Sequence, residues 1–177
     1  MKGMKVGIAG LQSGNYIFLA KWLLDGKVPL KDVTFIEMPT PRMGDMLKTG
    51  NVDAVILPDP LRMRIAQSGV GELSVPVPTE VNPDSPNIFW AAMEEWAKKN
   101  PETIKKFRAA FAEAVDTVNN NKDEAREIEK KQLPMVTPDW PTWSVKVSDE
   151  DVKFLIDMGR QLGMLKKDMK PSEMMLP

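Results

Sequence analysis

The sequence predicts an α/β fold in which a parallel-sheet lobe is followed by C-terminal helices. Short apolar runs alternate with helical patterns through the first half of the chain, and this alternation is typical of parallel strands joined by right-handed crossovers. The strand-like runs are continuously apolar, as expected for a sheet that is covered on both faces. The second half contains one further apolar run and then mainly helical patterns.

The first half contains three strand–helix units. Three apolar runs are the predicted strands: residues 5–10, 33–38 and 52–57. Each is followed by residues that favour a helix start: Ser13, Thr40 with Pro41, and Asp59 with Pro60. Ser, Thr and Asp can cap a helix through their side-chain oxygens, and proline fits the first helical position. Glycines that follow the helical patterns are the predicted helix ends: Gly26, Gly50 and Gly69.

The second half differs in composition. Residues 74–86 are rich in proline, which predicts an extended connection, and residues 87–92 form one more predicted strand. Helices are predicted to begin at Asn100 with Pro101, at Asp123, and at Ser148, which forms a capping-box pattern with Asp151. We therefore predict an α/β lobe at residues 1–86, and a return strand with a helical segment at residues 87–177.

Composition excludes several classes of function. The chain has no Cys and no His, which removes thiolate nucleophiles, imidazole bases and the usual zinc ligands. The formal net charge is -1, so nothing indicates binding to nucleic acid. No apolar run approaches the about 20 residues of a membrane-spanning helix. We expect no cofactor, no metal and no catalysis.

Several segments, taken in order, resemble the second lobe and C-terminal helices of type II solute-binding proteins. The nearest group is the family that binds alkanesulfonates, nitrate, taurine and thiamine precursors. The matching segments are GMKVGI at 3–8, QSG at 12–14, DVTF at 32–35, PTPRM at 39–43, LKTGNVDA at 47–54, PDP at 58–60, WAKKNPE at 96–102, NKDEA at 121–125 and LGMLKK at 162–167.

The resemblance implies a type II periplasmic-binding-protein-like fold and the substrate-binding component of an ABC importer. Such a protein binds a small anionic or heterocyclic solute without chemistry and delivers it to a permease and ATPase complex. It implies a periplasmic or extracellular location, although no signal peptide is visible in this chain. Family members carry a first lobe ahead of the strand that begins here, so we expect the chain to be a fragment, to pair with a complementing first lobe, or to form a homodimer by exchanging elements.

Two alternatives remain open. The same fold is used by a pyrimidine-synthesising thiamine enzyme and by menaquinone-pathway enzymes. The thiamine enzyme is disfavoured because its chemistry depends on His and Cys, which this chain lacks. The other alternative is a sensor or scaffold domain that binds no ligand.

Candidate ligand-binding residues follow the predicted strands, because ligands of such sheets bind beyond the carboxyl ends of the strands. They are Gln12, Ser13, Gly14, Asn15 and Tyr16 in the first loop, Met38 and Thr40 in the second, and Asp59 in the third. The first loop opens a helix whose free amides and dipole attract anions. In the resembled family this loop contacts the ligand, and an acidic residue often follows the third strand.

Each candidate also has a purely structural alternative. Ser13 and Asp59 can simply cap their helices. Tyr16 can pack in the core instead of stacking on a planar ligand. Met38 and Thr40 can belong to a plain connection.

Overall fold

The computed structural model describes residues 1–83, 88–133, 140 and 143–175. Contacts between residues group the chain into two compact units. The first unit comprises Met1–Asn87 and Ser148–Pro177, and the second comprises Ile88–Val147. From the sequence we predicted a division after residue 86, with all the C-terminal helices in the part that follows. The structure instead groups residues 148–177 with the first unit.

A three-stranded parallel sheet forms the centre of the first unit, and the predicted fold class is confirmed. The strands are β1 (Lys5–Ile8), β2 (Thr34–Glu37) and β3 (Ala54–Val55). Their order is β2-β1-β3, and both pairings are parallel. Each strand lies within its predicted apolar run but is shorter than that run. The strands end where the parallel pairing between β1 and its two neighbours ends.

Helices make up most of the remaining regular structure. They are α1 (Gly14–Asp25), α2 (Met43–Lys48), α3 (Leu61–Gln67), α4 (Val77–Val81), α5 (Glu94–Lys99), α6 (Pro101–Asn120), α7 (Lys122–Gln132), α8 (Asp149–Gln161) and α9 (Pro171–Met174). Two short 3₁₀ segments cover Leu30–Asp32 and Thr40–Arg42.

Two hydrophobic clusters cover the sheet. The larger cluster joins strand, helix and loop residues: Val6, Ile8, Tyr16, Phe18, Leu19, Ala20, Leu23, Val33 and Val77. The smaller cluster contains Met38, Met43 and Val52. Successive strand residues point to opposite faces. Gly7, between two residues of the larger cluster, accordingly approaches Met38 and Val55 of the other cluster.

The last long helix belongs to the first unit because its apolar side packs on α1. The rings of Phe18 and Phe154 are 5.6 Å apart, and Val152 and Ile156 are buried. The predicted capping box is confirmed: the Ser148 hydroxyl accepts from the Asp151 amide, and the Asp151 carboxylate accepts from the Ser148 amide.

The proline-rich segment after residue 74 is not simply extended, as predicted, because it contains α4. Val77 is buried in the larger cluster. The Trp22 indole Nε1 donates to Glu80 Oε2 at 2.9 Å, which ties α4 to α1. A tertiary contact with α1 therefore stabilises a turn of helix that its prolines alone do not predict.

Helices α5 to α7 form the second unit, and the predicted strand at 87–92 is wrong for residues 88–92. These residues have no regular structure, and Asn87 lies outside the described residues. Trp90 packs edge-on against Phe107 with ring centroids 5.4 Å apart, and Phe107 stacks on Phe111 at 5.9 Å. Residues 88–92 thus contact α6 through the ring of Trp90 and do not pair as a strand.

The contribution of the α1 core can be measured with two matched leucines. Leu23 is fully buried, whereas Leu73 is 48% exposed. We expect Leu23→Ala to lower the free energy of unfolding by about 2–5 kcal/mol, because it leaves a cavity in the core. Leu73→Ala should change it by no more than about 0.5 kcal/mol. Urea denaturation checks both values, and equal effects would contradict this assignment of the core.

Candidate functional site

The loop that follows β1 and the last residue of β2 line an open cavity of about 520 Å³ at the carboxyl edge of the sheet. Its lining residues are Ala9, Gly10, Leu11, Gln12, Ser13 and Glu37. Two of the predicted ligand-binding residues, Gln12 and Ser13, thus line this cavity. The strand polarity explains the position, since the loops after parallel strands meet at one edge.

Ser13 holds the first loop in a tight turn and caps α1, as the structural alternative predicted. Its Oγ accepts from the Tyr16 amide at 3.2 Å and donates to the Gly10 carbonyl at 2.8 Å. The Ser13 amide donates to the same carbonyl at 3.2 Å. Both polar groups of this residue therefore have partners within the loop and the first turn of the helix.

One amide of the first loop and two at the start of α1 remain available to a ligand. The N–H groups of Gln12, Gly14 and Asn15 have no acceptor among the residues that the structure describes. The first turn of α1 contains no acidic side chain. The unpaired amides and the positive end of the helix dipole can together bind a negatively charged or acceptor group.

Glu37 is a cavity residue that the sequence reasoning missed. It is the last residue of β2, and its Oε1 accepts from the Leu11 amide at 2.6 Å. The carboxylate therefore fixes the loop after β1 from the neighbouring strand. The available signal was an acidic residue near the end of an otherwise apolar run.

Tyr16 occupies the core, in line with its structural alternative. Its ring is 9% exposed and meets Phe35 edge-on, with centroids 5.1 Å apart. Burial raises the pKa of the Tyr16 hydroxyl above its ordinary value, because the low-dielectric surroundings disfavour tyrosinate.

The two candidates in the second loop do not line the cavity. Met38 is buried with Met43 and Val52. Thr40 was predicted to cap the next helix, but its side chain makes no capping hydrogen bond, and this prediction is wrong. The chain first forms a 3₁₀ turn that includes Thr40, so this residue lies inside the turn and not ahead of it.

Asp59 does not cap α3, contrary to the structural alternative that the sequence favoured. Its carboxylate accepts from Arg62 Nε at 3.1 Å and from Arg62 Nη2 at 2.7 Å. The helix begins at Leu61, whereas a capping residue must directly precede the first helical residue. Asp59 is one position too early and pairs with the guanidinium.

Two further findings concern the part of the chain that the structure describes. No group of three or more Asp or Glu side chains lies close enough together to hold a metal ion. None of the described helices has both the length and the apolar character to cross a bilayer.

The model of the NMT1-like family matches residues 1–131 of the 177 in this chain. The chain belongs to the NMT1-like family. Its structure is similar to that of the periplasmic aliphatic sulphonate binding protein SsuA from Escherichia coli, with a TM-score of 0.75 and 20% sequence identity. The similarity covers 98% of this chain and 62% of that one.

A second solved structure has the same fold. It is the ligand-binding component of an ABC-type import system from Staphylococcus aureus, crystallised with zinc bound, and its TM-score is 0.74 at 12% identity. The match covers 95% of this chain and 60% of that protein. The predicted fold, that of periplasmic binding proteins, is thus confirmed.

A curated relative is the nitrate import ATP-binding protein NrtC of Synechocystis sp., which is 21% identical over 164 residues. The match covers 88% of this chain but 24% of NrtC. The NMT1-like chain therefore spans about a quarter of that relative and about three fifths of the two solved structures.

The raised pKa of Tyr16 predicts a loss of stability at alkaline pH. The folded chain holds the phenolic proton more tightly than the unfolded chain does. This contribution is therefore complete below the unfolded pKa of about 10 and is lost as the pH rises through the folded pKa. Tyr16 is the one tyrosine of the chain, so tyrosinate absorbance reports it directly. The prediction would be contradicted if the Tyr16 hydroxyl titrated at the same pH in the native and in the denatured protein.

The cap at Ser13 predicts a second stability difference. Ser13→Ala should lower the free energy of unfolding by about 1 kcal/mol, because the Tyr16 amide loses its acceptor. Ser13→Asp retains a capping oxygen but cannot donate to the Gly10 carbonyl, so its stability should lie between those of Ser13→Ala and the parent. Denaturant titrations of the three proteins check this order. An alanine variant as stable as the parent would show that the cap contributes little.

Proposed function

We propose that this chain is the solute-binding part of an ABC import system and binds a small anionic or heterocyclic solute without changing it chemically. The observations that carry the proposal are the cavity at the carboxyl edge of the sheet, which Gln12 lines, and the unpaired amides of Gly14 and Asn15 at the start of α1. A group with acceptor oxygens or a ring nitrogen can take those N–H groups as hydrogen-bond donors.

The family and its named neighbours support the proposal. SsuA is named for binding aliphatic sulphonates, and the protein from Staphylococcus aureus is named as a ligand-binding component of an import system. NrtC is named for nitrate import. Sulphonate and nitrate are small anions, which matches the electrostatics of an unneutralised helix start.

The proposed contacts centre on the first loop. Gln12, Gly14 and Asn15 offer backbone amides, and Ser13 holds the turn that presents them. Tyr16 and Met38 are buried in the two hydrophobic clusters, and Thr40 lies in the 3₁₀ turn of the second loop. Asp59, in the loop that follows β3, would meet a solute together with the guanidinium of Arg62.

The proposed partners and location follow the same comparison. A chain with this role delivers its solute to a permease and ATPase complex, and it works in the periplasm or outside the cell. An enzyme on the same fold is not favoured, since family members and structural neighbours are named as binding or import proteins. The chain also lacks Cys and His.

A solute that binds the start of α1 should stabilise the chain. Sulphonates, nitrate and aminopyrimidines, each tested at increasing concentration, are expected to raise the melting temperature by the amount that mass action gives for their Kd. Differential scanning fluorimetry makes the measurement. A melting temperature unchanged by every member of the panel would argue against the proposed function.

A charge placed at the cap should remove anion binding while leaving the fold intact. Ser13→Asp keeps the capping acceptor but adds a negative charge beside the free amides, so the Kd for an anionic solute should rise at least about tenfold. Ser74→Asp adds the same charge at an exposed serine of the same unit and serves as the control. Isothermal titration calorimetry compares the three proteins. Equal affinities in all three would place the site elsewhere.

A second chain is the other proposed partner, as a homodimer or as a complementing first lobe. The supporting observation is the aromatic surface of the second unit, where Trp90 is 70% exposed and Phe107 is 43% exposed. Light scattering should show a dimer mass that Trp90→Glu converts to the monomer mass. A monomer in the parent protein would leave the complementing lobe as the partner, to be tested by adding that lobe in trans.

A further inference from the structure

We propose that two copies of this chain exchange a strand: residues 88–92 of one copy pair with the outer edge of β3 in the other copy. This inference rests on the proposed homodimer and specifies the surfaces that join. It follows from an open sheet edge in the first unit and an uncovered apolar segment in the second.

The first feature is the outer edge of β3. Among the described strands the order is β2-β1-β3, so β3 lies at an edge of the sheet. Only Ala54 and Val55 pair with β1, although the apolar run continues to Leu57. The side chains of residues 54–57 contact the two clusters in alternation, and all four remain half-buried. A further strand would cover them and would take up the free main-chain groups that an edge strand presents.

The opposite edge of the sheet, β2, is less suited to strand addition. It begins at Thr34 and ends at Glu37, and both residues are exposed. Charged side chains on an edge strand oppose the addition of another strand. Residues 54–57 carry no charge, so β3 is the edge that is open to pairing.

The second feature is the segment at residues 88–92. The exposed fractions are 82% for Ile88, 43% for Phe89 and 70% for Trp90, and the two alanines that follow are exposed as well. The Trp90 ring contacts Phe107, but the main chain of the segment has no regular structure. β-branched and aromatic residues favour strands. An uncharged apolar segment of this kind, left exposed, is suited to adding to an open sheet edge.

A second copy is the partner that complements both features, because every copy carries the edge and the segment. In strand addition, main-chain hydrogen bonds join the segment to the edge, and its side chains alternate between the two faces of the sheet. Reciprocal exchange between two copies closes with two-fold symmetry. It therefore covers both edges and both segments at once.

Proline substitutions separate main-chain pairing from side-chain contact. Ala91→Pro and Ala92→Pro each remove one amide hydrogen while keeping a small apolar side chain. Successive strand residues alternate in direction, so one of these two amides faces the partner strand. Neither amide donates a hydrogen bond in the described part of the chain, and both residues lie outside its helices and strands. Both variants should therefore retain the fold, which urea denaturation checks. Ala91→Ser and Ala92→Ser keep the amide and are the matched controls.

Two measurements on the full chain test the proposal. Light scattering gives the molar mass, and amide hydrogen exchange followed by mass spectrometry reports on residues 53–57 and 88–92. Both are made at concentrations above and below the dissociation constant of the dimer. In the parent chain, both segments should exchange at least about tenfold more slowly in the dimer than in the monomer, because each new main-chain hydrogen bond protects its amide.

At least one proline variant is expected to stay monomeric where the parent is a dimer and to show no slowing, while both serine variants match the parent. A dimer whose formation leaves exchange at residues 53–57 unchanged would overturn this inference, and so would a dimer that both proline variants retain. The proposed homodimer would stand in either case. A parent chain that is monomeric at every concentration would overturn this inference together with the homodimer, whereas the solute-binding role is tested separately by the melting temperatures.

Discussion

Strand β1 lies between two parallel neighbours and is covered on both faces, and the packing of the first unit depends on that double cover. Val6 and Ile8 enter the larger cluster beneath α1. Gly7 points the other way, where an added Cβ would lie 3.1 Å from Val55 Cγ1 and 3.2 Å from Met38 Cε. A residue larger than glycine there would push apart the side chains that fill the second cluster. The packing of the Met38 and Val55 side chains over β1 therefore depends on the absence of a side chain at this position.

The parallel arrangement also determines the electrostatics of the candidate site. Since all three strands run in the same direction, the loop after β1 and the last residue of β2 come to the same edge. That edge holds the positive start of α1 and the carboxylate of Glu37. The carboxylate is joined to the loop through the Leu11 amide. Glu37 thus fixes the loop through one hydrogen bond and also adds its carboxylate to the lining of the cavity.

The second unit is held together differently. Its one long helix, α6, has a single buried side chain, Val115, and much of its apolar stripe contacts other aromatic rings at the surface. The Arg126 guanidinium lies 4.3 Å from the Trp140 ring centroid, and helix α7 carries exposed short-range ion pairs such as Lys130 with Glu127. Pairs of this kind contribute only a few tenths of a kcal/mol each on a helix surface.

The sequence by itself determined the elements whose signals are local. The strand runs, the Ser13 cap, the Ser148 capping box and the start of α6 at Pro101 depend on a residue and its near neighbours. Tertiary structure decided the rest, because the deciding partner lies far away in the chain. Glu37 became a cavity residue through Leu11, α4 formed against Trp22, and α8 joined α1 through Phe154. Asp59 pairs with its near neighbour Arg62, because α3 begins one residue too late for Asp59 to cap it. The pattern and spacing of residues in the sequence do not predict such contacts, because each contact depends on where the folded chain places the two residues.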